Sequence, residues 1–337
     1  MYSNLRVGIV GVGRIGRFHM ETCRQTPGFD VRAVCDPSEA VRESLRTTAA
    51  AVYPSPEAML QLEELDAVFV CTPPAQQIEV AAPCAARSIP VLCEKPFGTD
   101  LNEAKELLRL AARYNTPILL ASKFRHVPAV ERARELLRQD AIGPLVHAEI
   151  EFCDAVDMTG RWNSVASQSG GGVIVDAGSH AFDMLQFVAG PLHQVRASRM
   201  AQVQQLLVED GARIHVETIG GATASITVSW SLPAAGNPLL RLEGERGEIT
   251  VGWRESWVRA QGSEPAPLDG GYDKVDAHRR MYERFGRILR AQEAPWITNE
   301  EILAVSEAIE AAYASLDGTD WIALPSTEEV GSVAKRQ

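Results

Sequence analysis

Gly11-Val12-Gly13-Arg14-Ile15-Gly16 follows the apolar run Leu5–Val10 and opens a helix-like segment over residues 14–26. At this spacing the first glycine permits a tight turn. The second lets a pyrophosphate approach the backbone, and the third lets helix and strand pack closely. Free N–H groups at the helix start then face the phosphates. Asp36 ends the next apolar run, Val31–Cys35, about 20 residues past Gly16. A carboxylate there accepts from ribose hydroxyls and repels a 2′-phosphate, so the pattern predicts a dinucleotide site that favours NAD over NADP. A structural glycine turn beside a surface aspartate is the alternative reading.

Outward from this turn, short apolar runs alternate with helix-like segments. Leu5–Val10, Val31–Cys35, Asp66–Thr72, Pro90–Cys93 and Pro117–Ala121 read as strands, and residues 14–26, 37–50, 75–87 and 100–114 as helices. The runs are short and apolar on both faces, as buried parallel strands are. Asp100-Leu-Asn-Glu103 has capping-box spacing. The alternation predicts a doubly wound parallel sheet covered by helices. After residue 121 the texture changes. Helices are expected near 128–139 and 170–189, with a strand at 145–152 between them. Further strands follow at 193–204, 212–219, 222–231, 238–243 and 247–252, with Gly244–Gly247 as a hairpin turn. Strands in succession predict a large, mostly antiparallel sheet. Thr298-Asn-Glu-Glu301 starts a last helix that Gly318 stops, and Ser263–Gly271 reads as a loop. The expected division is residues 1–121 and 122–337.

Composition narrows the function classes. The chain has 337 residues, 45% hydrophobic and 23% charged, as a two-domain globular enzyme does. Lys+Arg 33 against Asp+Glu 44 gives −11, with no basic run, which argues against nucleic-acid or anionic-membrane partners. No apolar stretch approaches the roughly 20 residues of a membrane span, and no signal-peptide pattern opens the chain. Cys23, Cys35, Cys71, Cys84, Cys93 and Cys153 show no C-x-x-C or metal-finger spacing, which predicts reduced thiols and a cytoplasmic protein.

Two further motifs carry chemistry. Glu94-Lys95-Pro96 stands where the Pro90–Cys93 strand ends, one crossover beyond Thr72-Pro73-Pro74. Ligands of open parallel sheets bind at that carboxyl edge. A lysine there can stabilise negative charge on a substrate oxygen. Arg14, Ile15, Thr72, Pro73, Glu94 and Lys95 join Gly11, Gly13, Gly16 and Asp36 as candidate cofactor contacts. In the Gly170–Asp183 segment, Asp176, His180 and Asp183 fall on one face at helical spacing. A histidine beside a carboxylate is a natural proton acceptor near neutral pH. A capped helix with a satisfied histidine is the alternative, and two ligands without a third give a metal little support.

These motifs, with Phe124-Arg125-His126-Val-Pro128 and the late Ala-Ser-Leu-Asp-Gly stretch ending at Gly318, resemble the glucose–fructose oxidoreductase / inositol dehydrogenase (Gfo/Idh/MocA) family over residues 5–325. The resemblance implies an N-terminal Rossmann domain and a C-terminal α+β domain whose open sheet packs on another subunit, giving a homo-dimer or tetramer. It implies NAD(P)-linked oxidation or reduction of a sugar, inositol or related polyol, with Lys95, Asp176 and His180 as the catalytic group. Two positions depart from the family pattern. Gln77 stands where a histidine is usual, and His278, seven residues before Phe285, where a tyrosine is usual. Arg125, Arg161, Trp162, Asn163 and His278 are the other candidate substrate contacts, since arginine and tryptophan suit sugar hydroxyls and faces. No metal is expected. Glycoside cleavage through transient oxidation, a dinucleotide-sensing regulator and a purely structural assembly protein remain alternatives.

Overall fold

A computed structural model describes residues 3–233 and 238–325. The chain forms two compact units. Among the described residues, the first runs to Lys123 and takes in Lys274–Ile297; the second holds Phe124–Asp273 and residues 298–325.

Strands β1 (Leu5–Val10), β2 (Phe29–Cys35), β3 (Ala51–Tyr53), β4 (Ala67–Val70), β5 (Val91–Cys93) and β6 (Ile118–Leu120) form the first unit's sheet in the order β3-β2-β1-β4-β5-β6. All its pairings are parallel. Residues 67–70 are wholly buried, which is why this strand reads as unbroken apolar sequence rather than as an alternating one. Register then sets the site. Val10 pairs with Cys35 and Val70, Val70 with Cys93, and Cys93 with Leu120. The next residues, Gly11, Asp36, Cys71, Glu94 and Ala121, therefore stand together at one carboxyl edge. The strand order reverses between β1 and β4, the place where such sheets bind ligands.

Helices α1 (Arg14–Arg24), α2 (Glu39–Ser44), α3 (Pro56–Leu62), α4 (Gln77–Ala85) and α5 (Leu101–Tyr114) link these strands. The helix expected over 37–50 is shorter, and β3 and α3 follow it. Three residues of strand are too few to show a period. The Ser55 hydroxyl accepting from Ala58 N–H, before Pro56, marks the start of α3 in the structure. At α5, Asp100 caps Glu103 N–H, but the Glu103 carboxylate turns to Thr99 N–H and Oγ1.

The second unit has α6 (Pro128–Arg138), α7 (Ala166–Ser169) and α8 (Ser179–Ala189). Its sheet contains β7 (Leu145–Cys153), β8 (Leu192–Arg199), β9 (Gly211–Thr218), β10 (Thr223–Ser229), β11 (Leu240–Gly244), β12 (Gly247–Val251), β13 (Ser256–Ala260), β14 (Ala266–Pro267) and β15 (Ile322–Ala323). The order is β14-β13-β12-β11-β7-β10-β9-β8-β15, antiparallel except for β7 with β10. Gly244 pairs with Gly247, as the hairpin requires. Ser263–Gly271 is not wholly loop, since β14 lies inside it. Ala148, Ile150, Ile214, Val216, Ile226 and Val228 are buried on one sheet face. The alternate residues, among them Glu149, Arg213, His215 and Ser225, stay half-buried or exposed. Helix α9 (Lys274–Leu289) belongs to the first unit, not to the second as a cut at 121/122 implies. Its Tyr282 stacks on Phe69 at 5.3 Å and its Phe285 meets the same ring edge-on at 5.9 Å. A helix that returns to an earlier unit leaves no composition shift for sequence to show. Helix α10 (Asn299–Ser315) starts with the expected capping box from Thr298 and Glu301.

Candidate functional site

At the turn after β1, sterics explain the first and third glycines. Gly11 has φ +84, and a Cβ on it would sit 2.9 Å from the backbone of Cys71 and Thr72. A Cβ on Gly16 would sit 1.9 Å from the Gly11 carbonyl oxygen. Gly13 differs: a Cβ there meets nothing within 4 Å, so its side of the turn is open. No side chain caps α1, which leaves its first-turn N–H groups for an anion. Asp36 closes the turn from β2. Its Oδ2 accepts Val12 N–H at 2.8 Å and its Oδ1 accepts Ser38 N–H at 2.9 Å. A carboxylate accepts about four hydrogen bonds, so lone pairs remain for ribose hydroxyls. The Thr72 hydroxyl, on the neighbouring edge, is buried without a hydrogen-bond partner among the described residues. Buried hydroxyls seldom stay unpaired. The bare glycine, the uncapped helix start and this hydroxyl all fit a dinucleotide. Arg14 is exposed and Ile15 and Pro73 are half-buried on the same edge.

Glu94 and Lys95 follow β5 on that edge. Glu94 is buried, and its carboxylate accepts from His19 Nε2 at 2.7 Å and from Lys95 N–H at 3.1 Å. His19 Nδ1 meets the Tyr282 hydroxyl at 2.8 Å. Burial alone would raise the Glu94 pKa. The hydrogen bond from His19, with the charges of His19, Lys123 and His278, outweighs it and holds the carboxyl well below the usual range. His278 Nδ1 lies 2.7 Å from the Lys274 carbonyl, so that nitrogen carries the proton and donates. His278 Nε2 is buried and unpaired among the described residues. His19, Glu94 and His278 place potential ligand atoms within 4.8 Å of one another. Both His19 nitrogens already have partners, so the cluster is a hydrogen-bonded network. Gln77 completes it: Nε2 donates to the carbonyls of Glu94 and Pro96, and Oε1 accepts Gly98 N–H.

His278 gives a pH signature. Burial, then the charges of His19 and Lys123, lowers its pKa to about 3. Above its ordinary value near 6.5, folded and unfolded chains both hold it neutral. Below that value only the unfolded chain takes the proton, so stability falls as pH drops. One such proton is worth up to about 1.4 kcal/mol per pH unit. Unfolding by denaturant at pH 7, 6 and 5 should therefore show a decline that is shallower in His278→Leu. Parallel slopes in the two proteins would remove His278 as the cause.

In the second unit, Ile174–Gly178 is a π-turn directly before α8. Such wide turns recur at functional sites. Asp176 and His180 are half-buried there. Asp176 Oδ1 accepts from Asn163 Nδ2 at 3.3 Å and Oδ2 from Trp230 Nε1 at 3.1 Å, which fixes the carboxylate. His180 lies edge-on to Phe124, with ring centres 5.0 Å apart, and 6.0 Å from the Phe152 ring. Trp253 and Tyr272 extend this aromatic wall. Arg161 and Trp162 are half-buried beside Asn163.

Two expectations change. Asp183 does not join Asp176 and His180; it pairs with Arg125 at 2.8 Å. Arg125 is 1% exposed and also meets Glu301 at 3.1 Å. Buried arginines need such partners, and Arg125 stands in the unit's interior instead of on a surface that a sugar could touch. His278 is likewise wholly buried, inside the first unit. Sequence reading missed Trp230, Trp253, Tyr272 and the His19–Glu94 pair, whose partners lie far apart in the chain.

Comparison with known proteins bears on the family and the fold. Residues 5–121 match the model for the oxidoreductase family with an NAD-binding Rossmann fold, and residues 130–250 match the GFO/IDH/MocA C-terminal domain. The chain is similar to the rhizopine catabolism protein MocA of Rhizobium meliloti, 31% identical over 56% of this chain and 58% of that one. It is similar to the D-apiose dehydrogenase of Paraburkholderia graminis, 25% identical over 72% of this chain and 66% of that one. These matches thus span less than two thirds of either relative. Among solved structures, GenD2 from gentamicin A biosynthesis, in complex with NAD, superposes with a TM-score of 0.85 at 25% identity, covering 97% of this chain and 98% of that one.

Proposed function

The chain belongs to the GFO/IDH/MocA oxidoreductase family, and from that premise we propose that it transfers a hydride between NAD(H) and a secondary alcohol or ketone of a sugar, inositol or related polyol. The observation that carries the reading is the clasp of Asp36 on Val12 N–H beside the bare Gly13, on the same carboxyl edge of the sheet as the Glu94-Lys95 segment. Relatives named as D-apiose and D-xylose dehydrogenases support the substrate class.

Gly11, Gly13, Gly16, Asp36 and Thr72 would hold the dinucleotide, which supplies the hydride acceptor when bound. His180 removes the hydroxyl proton. Lys95 donates a hydrogen bond to the same oxygen and stabilises its growing negative charge. Asp176, held by Asn163 and Trp230, orients the site. Arg161 and Trp162 contact the substrate's hydroxyls and faces. A panel of inositols, free sugars, sugar nucleotides and glycosides, followed at the NADH absorbance band, tests this. Turnover of at least one ring polyol is expected. Release of aglycones without net NADH would favour glycoside cleavage instead, and silence on every compound would favour a sensor.

No described helix is long and apolar enough to cross a membrane. We also propose a cytoplasmic protein, supported by six free buried cysteines. Recovery outside the cytosolic fraction would oppose this. The uncovered face of the second sheet supports a homo-dimer or tetramer. That face carries Glu149, Arg213, His215, Glu217 and Arg196, so its contact would be polar. Light scattering should show association that weakens in high salt. A monomer at micromolar concentration and low salt would refute it.

A further inference from the structure

Gln77 is wholly buried in the first unit, at the first turn of α4. Its amide makes three hydrogen bonds to one short stretch of backbone. Nε2 donates to the Glu94 carbonyl at 2.7 Å and to the Pro96 carbonyl at 2.9 Å. Oε1 accepts Gly98 N–H at 2.8 Å. Lys95 lies inside the bracket these bonds define. From the other side, the Glu94 carboxylate accepts Lys95 N–H at 3.1 Å and is itself held by His19. Beyond the Glu94 N–H, which still donates to the Val70 carbonyl, the segment has left the β5 ladder. Its backbone polar groups therefore need side-chain partners, and Gln77 supplies them. Only an amide does this at one position, because it offers two donors and an acceptor together. An imidazole has two ring nitrogens and can satisfy at most two of the three groups. Glutamate would set a charge against two carbonyl oxygens.

We propose that Gln77 is a positioning residue for Lys95: it fixes the backbone from which the lysine reaches the substrate oxygen. The inference rests on the role given to Lys95 above. It makes Gln77 neither a ligand of the cofactor nor a contact of the substrate. A displacement of about 1 Å at a reacting group can cost on the order of 100-fold in rate, so the effect should fall on kcat.

The test is a double-mutant cycle with the full chain and a substrate from the panel. Gln77→Leu, which keeps the volume and removes all three bonds, should lower kcat about 10–100-fold, with the Kd for NAD unchanged. Gln77→His should recover part of the loss. In a Lys95→Ala background, Gln77→Leu should add little, because the lysine it positions is gone. The loss of three buried partners also threatens folding, so NAD binding and the thermal midpoint are measured on every variant. If Gln77→Leu does not fold, Gln77→His carries the cycle. A Gln77 variant with normal kcat, or one that lowers kcat by the same factor with and without Lys95, would overturn the inference and leave Lys95 in place. A Lys95→Ala protein with wild-type turnover would overturn the reading of Lys95 and, with it, this one.

Discussion

If His180 is the proton acceptor proposed above, His180→Ala should lower kcat by about 10²–10⁴-fold on a good substrate, the usual contribution of a positioned proton acceptor. The Kd for NAD should stay within error, because the substitution leaves Gly11–Gly16, Asp36 and Thr72, the residues proposed to hold the dinucleotide, unchanged. Lys95→Ala should also lower kcat, since the charge it is proposed to stabilise grows only towards the transition state. The proposed roles predict that the losses should not add fully, because both residues would then act on one substrate oxygen. Phe124 and Phe152 stand at the His180 ring. Steady-state kinetics with calorimetric NAD titration checks both halves. Near-normal turnover in His180→Ala across neutral pH would return the Asp176–His180 segment to a purely structural role.

The wild-type chain should bind NAD more tightly than NADP, and Asp36→Ala should lose about 10–100-fold in NAD affinity. Hydrogen bonds to a charged group are worth about 1.5–3 kcal/mol each. Asp36 also holds Val12 N–H and Ser38 N–H, so its loss loosens the glycine turn from the inside. The gap between the two cofactors narrows in the variant, because the charge facing a 2′-phosphate is gone. Fluorescence titration of both cofactors against both proteins decides it. Tighter NADP than NAD binding in the wild type would reduce Asp36 to a brace for the turn.

Much of the first unit was legible from sequence because hard sterics wrote it. Gly11 and Gly16 can be nothing larger, and a glycine pattern with so narrow a cause reads the same before and after folding. Buried parallel strands showed as apolar runs for a similar reason. What sequence hid was pairing at a distance. His19 and Glu94 are 75 residues apart and Asp176 and Trp230 are 54 apart; nothing local marks either pair. Helical spacing put Asp183 with His180, but spacing names a face and not its occupant, and Arg125 claimed Asp183. Gln77 is the reverse case. It showed as a departure from the family pattern, and its meaning emerged only with the backbone it holds.

Hydride transfer from a ring carbon is the central claim, and isotope tracing tests it most directly. A substrate found in the panel is prepared with deuterium on the carbinol carbon and incubated with the enzyme and NAD, and the cofactor is examined by mass spectrometry. Hydride transfer predicts deuterated NADH formed in step with the ketone. An unlabelled cofactor while the labelled substrate is consumed would contradict it.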